Sequence, residues 1–174
     1  MKRKGKVILA FIGSLWVAMP LYILLHEGGH ALVAALCGAK ITEFNILQGY
    51  VIADGGTFNT FTLALFYAVG LVIPVIAFSI YLILYQSRKG NIFYKILSAF
   101  FSGIILFSIG VWIVIPIGYM LNKANPNDDV VQFIEVLKIS PLLVSLVAGV
   151  LMSIYTWGIW KKKVFQNVLQ ILRG

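Results

Sequence analysis

His26 and His30 are the only two histidines of the chain, and Glu27 directly follows the first. On a helix, positions i and i+4 lie on one face, a turn apart, so both imidazoles can aim a ring nitrogen at one ion. His26-Glu27-Gly28-Gly29-His30 therefore has the HExxH spacing, two metal-ligating histidines with a carboxylate set between them as general base. Imidazole nitrogens at about 2.0–2.1 Å suit zinc, which lowers the pKa of a water to about 7. Glu27 would take a proton from that zinc-activated water and pass it to a leaving amine. The chemistry on offer is metal-assisted hydrolysis of a peptide bond.

Two histidines do not complete a catalytic zinc site, which needs a third protein ligand and one open position. The acidic residues are few: Glu27, Glu43, Asp54, Asp128, Asp129 and Glu135. Asp128 and Asp129 stand where the polar stretch Asn122 to Asn127 meets a renewed apolar pattern, Val130 to Ile139. An aspartate there also caps a helix start. With two aspartates and one cap, Asp129 is the favoured ligand and Asp128 the favoured cap, and the reverse order stays open. Glu43 and Asp54 are weaker candidates. Gly28 and Gly29 fill the two free positions of the motif. Each costs up to about 1 kcal/mol in a helix relative to alanine, so they are expected to admit close approach of another backbone.

The elements that must position these groups are apolar. The chain of 174 residues is 60% hydrophobic and only 11% charged, where a soluble domain carries roughly a quarter charged residues. That composition means an integral membrane protein, and its mean hydropathy is +0.95. Spans of about 20 apolar residues are expected at 7–38, 61–86, 97–121 and 141–160, followed by a basic amphipathic tail, 161–174, lying on the inner leaflet. The first apolar run is expected to be retained as an anchor, since it is too long for a signal peptide and contains the motif. Residues 39–60 are rich in β-branched and aromatic types, with a turn signal at Asp54-Gly55-Gly56, and read as a short hairpin. The expected fold is thus an all-α membrane protein of about four transmembrane helices with a hairpin-like segment after the first, forming one domain, 1–174.

Ionisable groups at membrane depth are expensive and usually functional, which favours a site over a polar packing cluster. The net charge of +8 is carried by basic residues that border apolar segments. Eleven of the fourteen fall on one side of the expected spans, leaving only Lys40, Lys123 and Lys138 on the other. This is a membrane-orientation pattern, not a nucleic-acid surface. It places both termini in the cytoplasm of a multi-pass cell-membrane protein and the motif towards the outer face. Cys37 is alone, which excludes an internal disulfide and a cysteine-rich zinc module.

With HEGGH in the first span, Ala31-Leu32 after it, a glycine-bearing β-like segment and an acidic loop beside a later span, the chain resembles the site-2 protease-type intramembrane zinc metalloproteases. The resemblance reaches from Val7 to about Phe133. It implies that His26 and His30 bind zinc, that Glu27 is the catalytic base, and that Asp128 or Asp129 completes the site. The family's later motif is an Asn-Pro stretch leading to Leu-Asp-Gly, whereas this chain has Asn125-Pro126-Asn127-Asp128-Asp129 with no glycine after the aspartate. The resemblance implies membrane-protein or membrane-associated peptide substrates within the lipid bilayer. A catalytically inactive relative, acting as a binding or immunity-type factor, is the alternative, and the intact Glu27 argues against it. A metal transporter is disfavoured because the other spans carry almost no ionisable residues.

Overall fold

A computed structural model describes residues 3–87 and 90–173. Of the eleven basic residues that fall on one side of the expected spans, Lys2, Arg88 and Lys89 lie outside the described residues. The elements are α1 (Arg3–Leu36), β1 (Ala39–Asn45), β2 (Tyr50–Gly55), α2 (Thr60–Leu84), α3 (Ile92–Met120), α4 (Asp129–Leu137), α5 (Pro141–Lys161) and α6 (Val164–Arg173). Helices α1, α2, α3 and α5 are long and apolar enough to cross a membrane. The all-α architecture with a small hairpin after the first helix is as expected from the sequence.

Each boundary has a local cause. Asn59 caps α2 by accepting from the Thr62 N–H, while the Thr62 hydroxyl accepts from the Asn59 N–H. Asn91 accepts from the Tyr94 N–H, so α3 begins at Ile92, five residues before the hydropathy-based boundary. The hairpin turn has a local cause as well. It is closed by the Asn45 side chain, which accepts from the Leu47 and Gln48 N–H groups, with Gly49 at φ +68°. The turn signal Asp54-Gly55-Gly56 marks the exit from β2. A Cβ on Gly56 would lie 3.0 Å from the Ala39 Cβ, so only glycine lets the chain leave the sheet beside the end of α1.

α3 is the central helix. Its Ile96, Ile105 and Ile109 are fully buried, and Phe101 stacks on Phe78 of α2 at 4.7 Å between ring centres. Lipid tails offer no hydrophobic drive between helices, so small residues and inter-helix hydrogen bonds matter more than in water. Here Tyr22 and Ser108 tie α1 to α3 at 2.8 Å, Tyr81 and Ser98 tie α2 to α3 at 2.7 Å, and the Ser145 hydroxyl donates to the Ile113 carbonyl, joining α5 to α3.

The amphipathic tail is helical, but it is not simply laid on a lipid surface. Val164, Asn167 and Val168 of α6 are buried in the protein, while Leu169 and Leu172 stay exposed. Asn167 Nδ2 donates to the Tyr85 hydroxyl at 2.8 Å, and Lys162 Nζ donates to the Ile83 carbonyl at 2.6 Å. These bonds fasten the tail to the end of α2. An unpaired buried partner costs about 1–3 kcal/mol. Asn167→Ala is therefore expected to lower unfolding stability in detergent by at least about 1 kcal/mol, while Gln170→Ala on the exposed face changes it little; thermal melts of the two variants measure the difference.

Candidate metal centre

The site begins with a close contact between α1 and α2. Gly29 faces α2 so tightly that a Cβ there would lie 3.1 Å from the Val69 carbonyl oxygen. Gly28 has open space around it, so only one of the two motif glycines serves the approach of a second backbone. One residue on, Gly70 leaves the room that the imidazoles occupy. A Cβ on Gly70 would stand 2.5 Å from His26 Cε1 and 2.6 Å from His30 Nε2. Neither could remain in place beside an alanine.

Gly70 also fixes the tautomer of His26. His26 Nδ1 lies 2.7 Å from the Gly70 carbonyl oxygen. A carbonyl only accepts, so Nδ1 carries the proton and Nε2 keeps its lone pair. A donated second ring N–H is the usual orienting device of a metal-ligating histidine. His30 lacks that partner: its Nδ1 is buried with no hydrogen bond among the described residues. Its ring packs instead against Phe66, 4.9 Å between centres.

The third member arrives on α4. Asn125 accepts from the Asn127 N–H, Gln132 Nε2 donates to the Pro126 carbonyl, and Asp128 accepts from the Val130 N–H at 2.9 Å. Asp128 is thereby the N-cap of α4. Asp129 follows as the first helical residue, and its Oδ2 lies 3.2 Å from His30 Nε2 and 3.7 Å from His26 Nε2. The two Nε2 atoms are 3.4 Å apart. These three side chains could hold one metal ion. Asp128, spent on the cap, does not join them. Glu43 is hydrogen-bonded to Tyr50, and Asp54 pairs in register with Lys40 on the hairpin; neither reaches the group.

Burial opposes charge on Asp129, but its polar contacts with the imidazoles of His26 and His30 outweigh that effect and bring the carboxyl down to about 2. It is an anion at neutral pH. Glu27 is buried beside the group, its Oε1 4.0 Å from His26 Nε2. His30 stands six residues inside the end of α1 and His26 ten, depths of about 9 and 15 Å at 1.5 Å per residue. The group is thus sunk within the helical bundle. A cavity of about 780 Å³ opens beside it between α1 and α3, with His26 and Asp129 in its wall.

Sequence reasoning did not single out Gly70, Phe66 or Tyr22. Tyr22 had a signal, since it stands four residues before His26 on the same helix face; its ring lies 5.7 Å from that imidazole. No protein-family model, curated protein or solved structure matches this chain.

Gly70→Ala is expected to lower affinity for a divalent ion about 10–100-fold, the usual range for a displaced orienting partner. Gly28→Ala should leave affinity unchanged and raise helix stability by up to about 1 kcal/mol. Titration with zinc against a chromophoric chelator reads both.

Proposed function

We propose that this chain is a membrane-embedded zinc metalloendopeptidase that hydrolyses peptide bonds of membrane-associated substrates. The observation that carries the reading is the triangle of donors. Its edges are 3.2, 3.4 and 3.7 Å. Donor atoms around a tetrahedral ion with bonds of about 2.0–2.1 Å are about 3.3–3.4 Å apart. Two neutral imidazoles and one carboxylate are a ligand set of catalytic zinc sites, with the fourth position left open. The likeness of HEGGH to the site-2 protease type supports the same assignment.

His26, His30 and Asp129 hold the ion, which when bound polarises a carbonyl and acidifies water. His26 is kept in register by the Gly70 carbonyl. Glu27, buried next to His26, accepts a proton from the attacking water at its carboxylate and delivers it to the departing amine. Burial strengthens each of these electrostatic contacts, because the surroundings screen them less than water would. Asp128 holds α4 in place and so presents Asp129.

Orientation follows from charge. Arg3, Lys4 and Lys6 open α1, Lys95 lies near the start of α3, and Lys161 to Lys163 close α5. In this proposal that end faces the cytoplasm and the metal centre lies towards the outer face.

Two experiments test the reading. Purified Glu27→Gln should keep one zinc per chain and lose hydrolysis of an unfolded membrane-associated peptide. His26→Ala, His30→Ala and Asp129→Asn should lose zinc, while Asp128→Ala should keep it and lose about 1 kcal/mol of stability. A wild-type protein that folds but takes up no zinc ends the proposal. For orientation, Lys123→Cys in a Cys37→Ser background should react with a membrane-impermeant maleimide in intact cells, and Lys161→Cys only after permeabilisation.

A further inference from the structure

Two hydroxyl groups share the cavity wall with the metal centre. Tyr22 of α1 and Ser108 of α3 line it together with His26 and Asp129. Their oxygens lie 2.8 Å apart. Tyr22 stands one turn inward of His26 on the same face of α1, about 6 Å along the helix, and its ring lies 5.7 Å from that imidazole. Ser108 is buried, and its neighbours on the wall, Ile104, Phe107 and Val111, are apolar. A hydrogen bond between membrane helices contributes only about 0.6 kcal/mol on average. Two apolar side chains would fill the same space without burying two hydroxyls. Tying α1 to α3 is therefore a small return for a polar pair at this place.

Counting protons shows what the pair still offers. Each hydroxyl has one O–H to donate and two lone pairs to accept with. The mutual bond uses one of the two protons. A helical serine can return its proton to the carbonyl four residues back, as Ser98 does to Tyr94 at 2.6 Å. Ser108 does not, and neither hydroxyl has a second partner among the described residues. One O–H is thus uncommitted beside the cavity. A phenol is more acidic than an alcohol and the stronger donor, so the favoured order is Ser108 donating to Tyr22 and Tyr22 donating onward. The first bond polarises the second. Glu27 is not part of this wall, so the base and the free donor serve the centre from different sides.

We infer that Tyr22 is a second catalytic residue, the donor that stabilises the carbonyl oxygen of the scissile peptide bond, and that Ser108 positions it. The inference rests on the peptidase reading. As the water oxygen bonds to the carbonyl carbon, the C=O π pair moves onto the carbonyl oxygen, which accepts a hydrogen bond from Tyr22. Glu27 meanwhile holds the proton taken from the water. When the pair returns and the C–N bond breaks, that proton goes to the departing nitrogen, leaving a carboxylic acid and an amine. Tyr22 keeps its own proton throughout, so nothing has to reset it. The bond strengthens as negative charge builds on the oxygen, because an apolar wall screens it little.

A tetrahedral anion tests this without the natural substrate. N-phosphoryl-leucinamide carries tetrahedral, anionic oxygens where a peptide has a planar carbonyl. Full-length protein in detergent, loaded with cobalt(II), would be titrated with it and followed by the visible absorption of the metal. Tyr22→Phe keeps the ring and removes only the hydroxyl. It should bind cobalt as wild type does and the probe at least about tenfold more weakly, since one lost oxyanion donor costs about 10²–10³ in rate. Ser108→Ala should weaken the probe about threefold or more when made alone and change nothing further in the Tyr22→Phe background, because it acts only through the phenol.

Equal probe affinity in wild type and Tyr22→Phe, with cobalt bound in both, overturns the role of Tyr22. So does a Ser108→Ala loss that persists undiminished in the Tyr22→Phe background, which makes the pair a structural tie. The Trp112 indole N–H is the wall's other uncharged donor, and a loss in Trp112→Phe with none in Tyr22→Phe also overturns the assignment. A cobalt-loaded wild type whose spectrum ignores the probe does the same. A wild type that folds and takes up no cobalt ends the peptidase reading instead, so the metal spectrum keeps the two failures apart.

Discussion

The hydrogen bond from His26 Nδ1 to the Gly70 carbonyl, 2.7 Å long, is the contact on which the rest of the site depends. Polar side chains sunk among apolar helices must find partners inside the protein, because lipid offers none. A helical carbonyl is normally committed to its own helix. It can accept from a second helix only where the two backbones come close and no side chain intervenes. Gly29 on α1 and Gly70 on α2 provide that approach. The same contact orients the imidazole, protonates it at Nδ1 and turns Nε2 towards His30 and Asp129.

The second constraint is the entry of α4 between the spans. A carboxylate is admitted to the bundle interior because two imidazoles meet it there, and those interactions keep it ionised against the effect of burial. Its placement is a consequence of capping. Asp128 satisfies the free N–H of Val130, so the next residue starts the helix and projects towards α1. The apolar face of α4, with Val130 and Ile134 buried against Val144 of α5, holds that start in position. Two adjacent aspartates thus do different jobs for reasons that are entirely local.

The sequence revealed the spans because hydropathy over some 20 residues is a local property, and the four long helices lie close to where it put them. It revealed the histidines and Glu27 because their spacing is a helix turn. It left Asp128 and Asp129 interchangeable, since the choice depends on which residue takes the cap. Gly70 was invisible. A glycine in an apolar helix can serve any close packing, and its partner here lies 44 residues away. The hairpin was legible as two β-rich segments, but the closure of its turn by the Asn45 side chain was not, since that depends on a rotamer and not on residue type. The tail's apolar stripe was legible, but a stripe looks the same whether protein or lipid covers it. Only the Asn167–Tyr85 bond and the burial of Val164 show that protein covers part of it.

Zinc-edge X-ray absorption on the purified protein tests the central claim most directly, because it reads the ligands and not only the metal content. The account predicts one zinc with four light-atom neighbours at about 2.0–2.1 Å. Outer-shell scattering should correspond to two imidazoles in the wild type and to one in His26→Ala or His30→Ala samples loaded at excess zinc. A sulfur shell, an absence of imidazole scattering, or a spectrum unchanged by both histidine substitutions would contradict it.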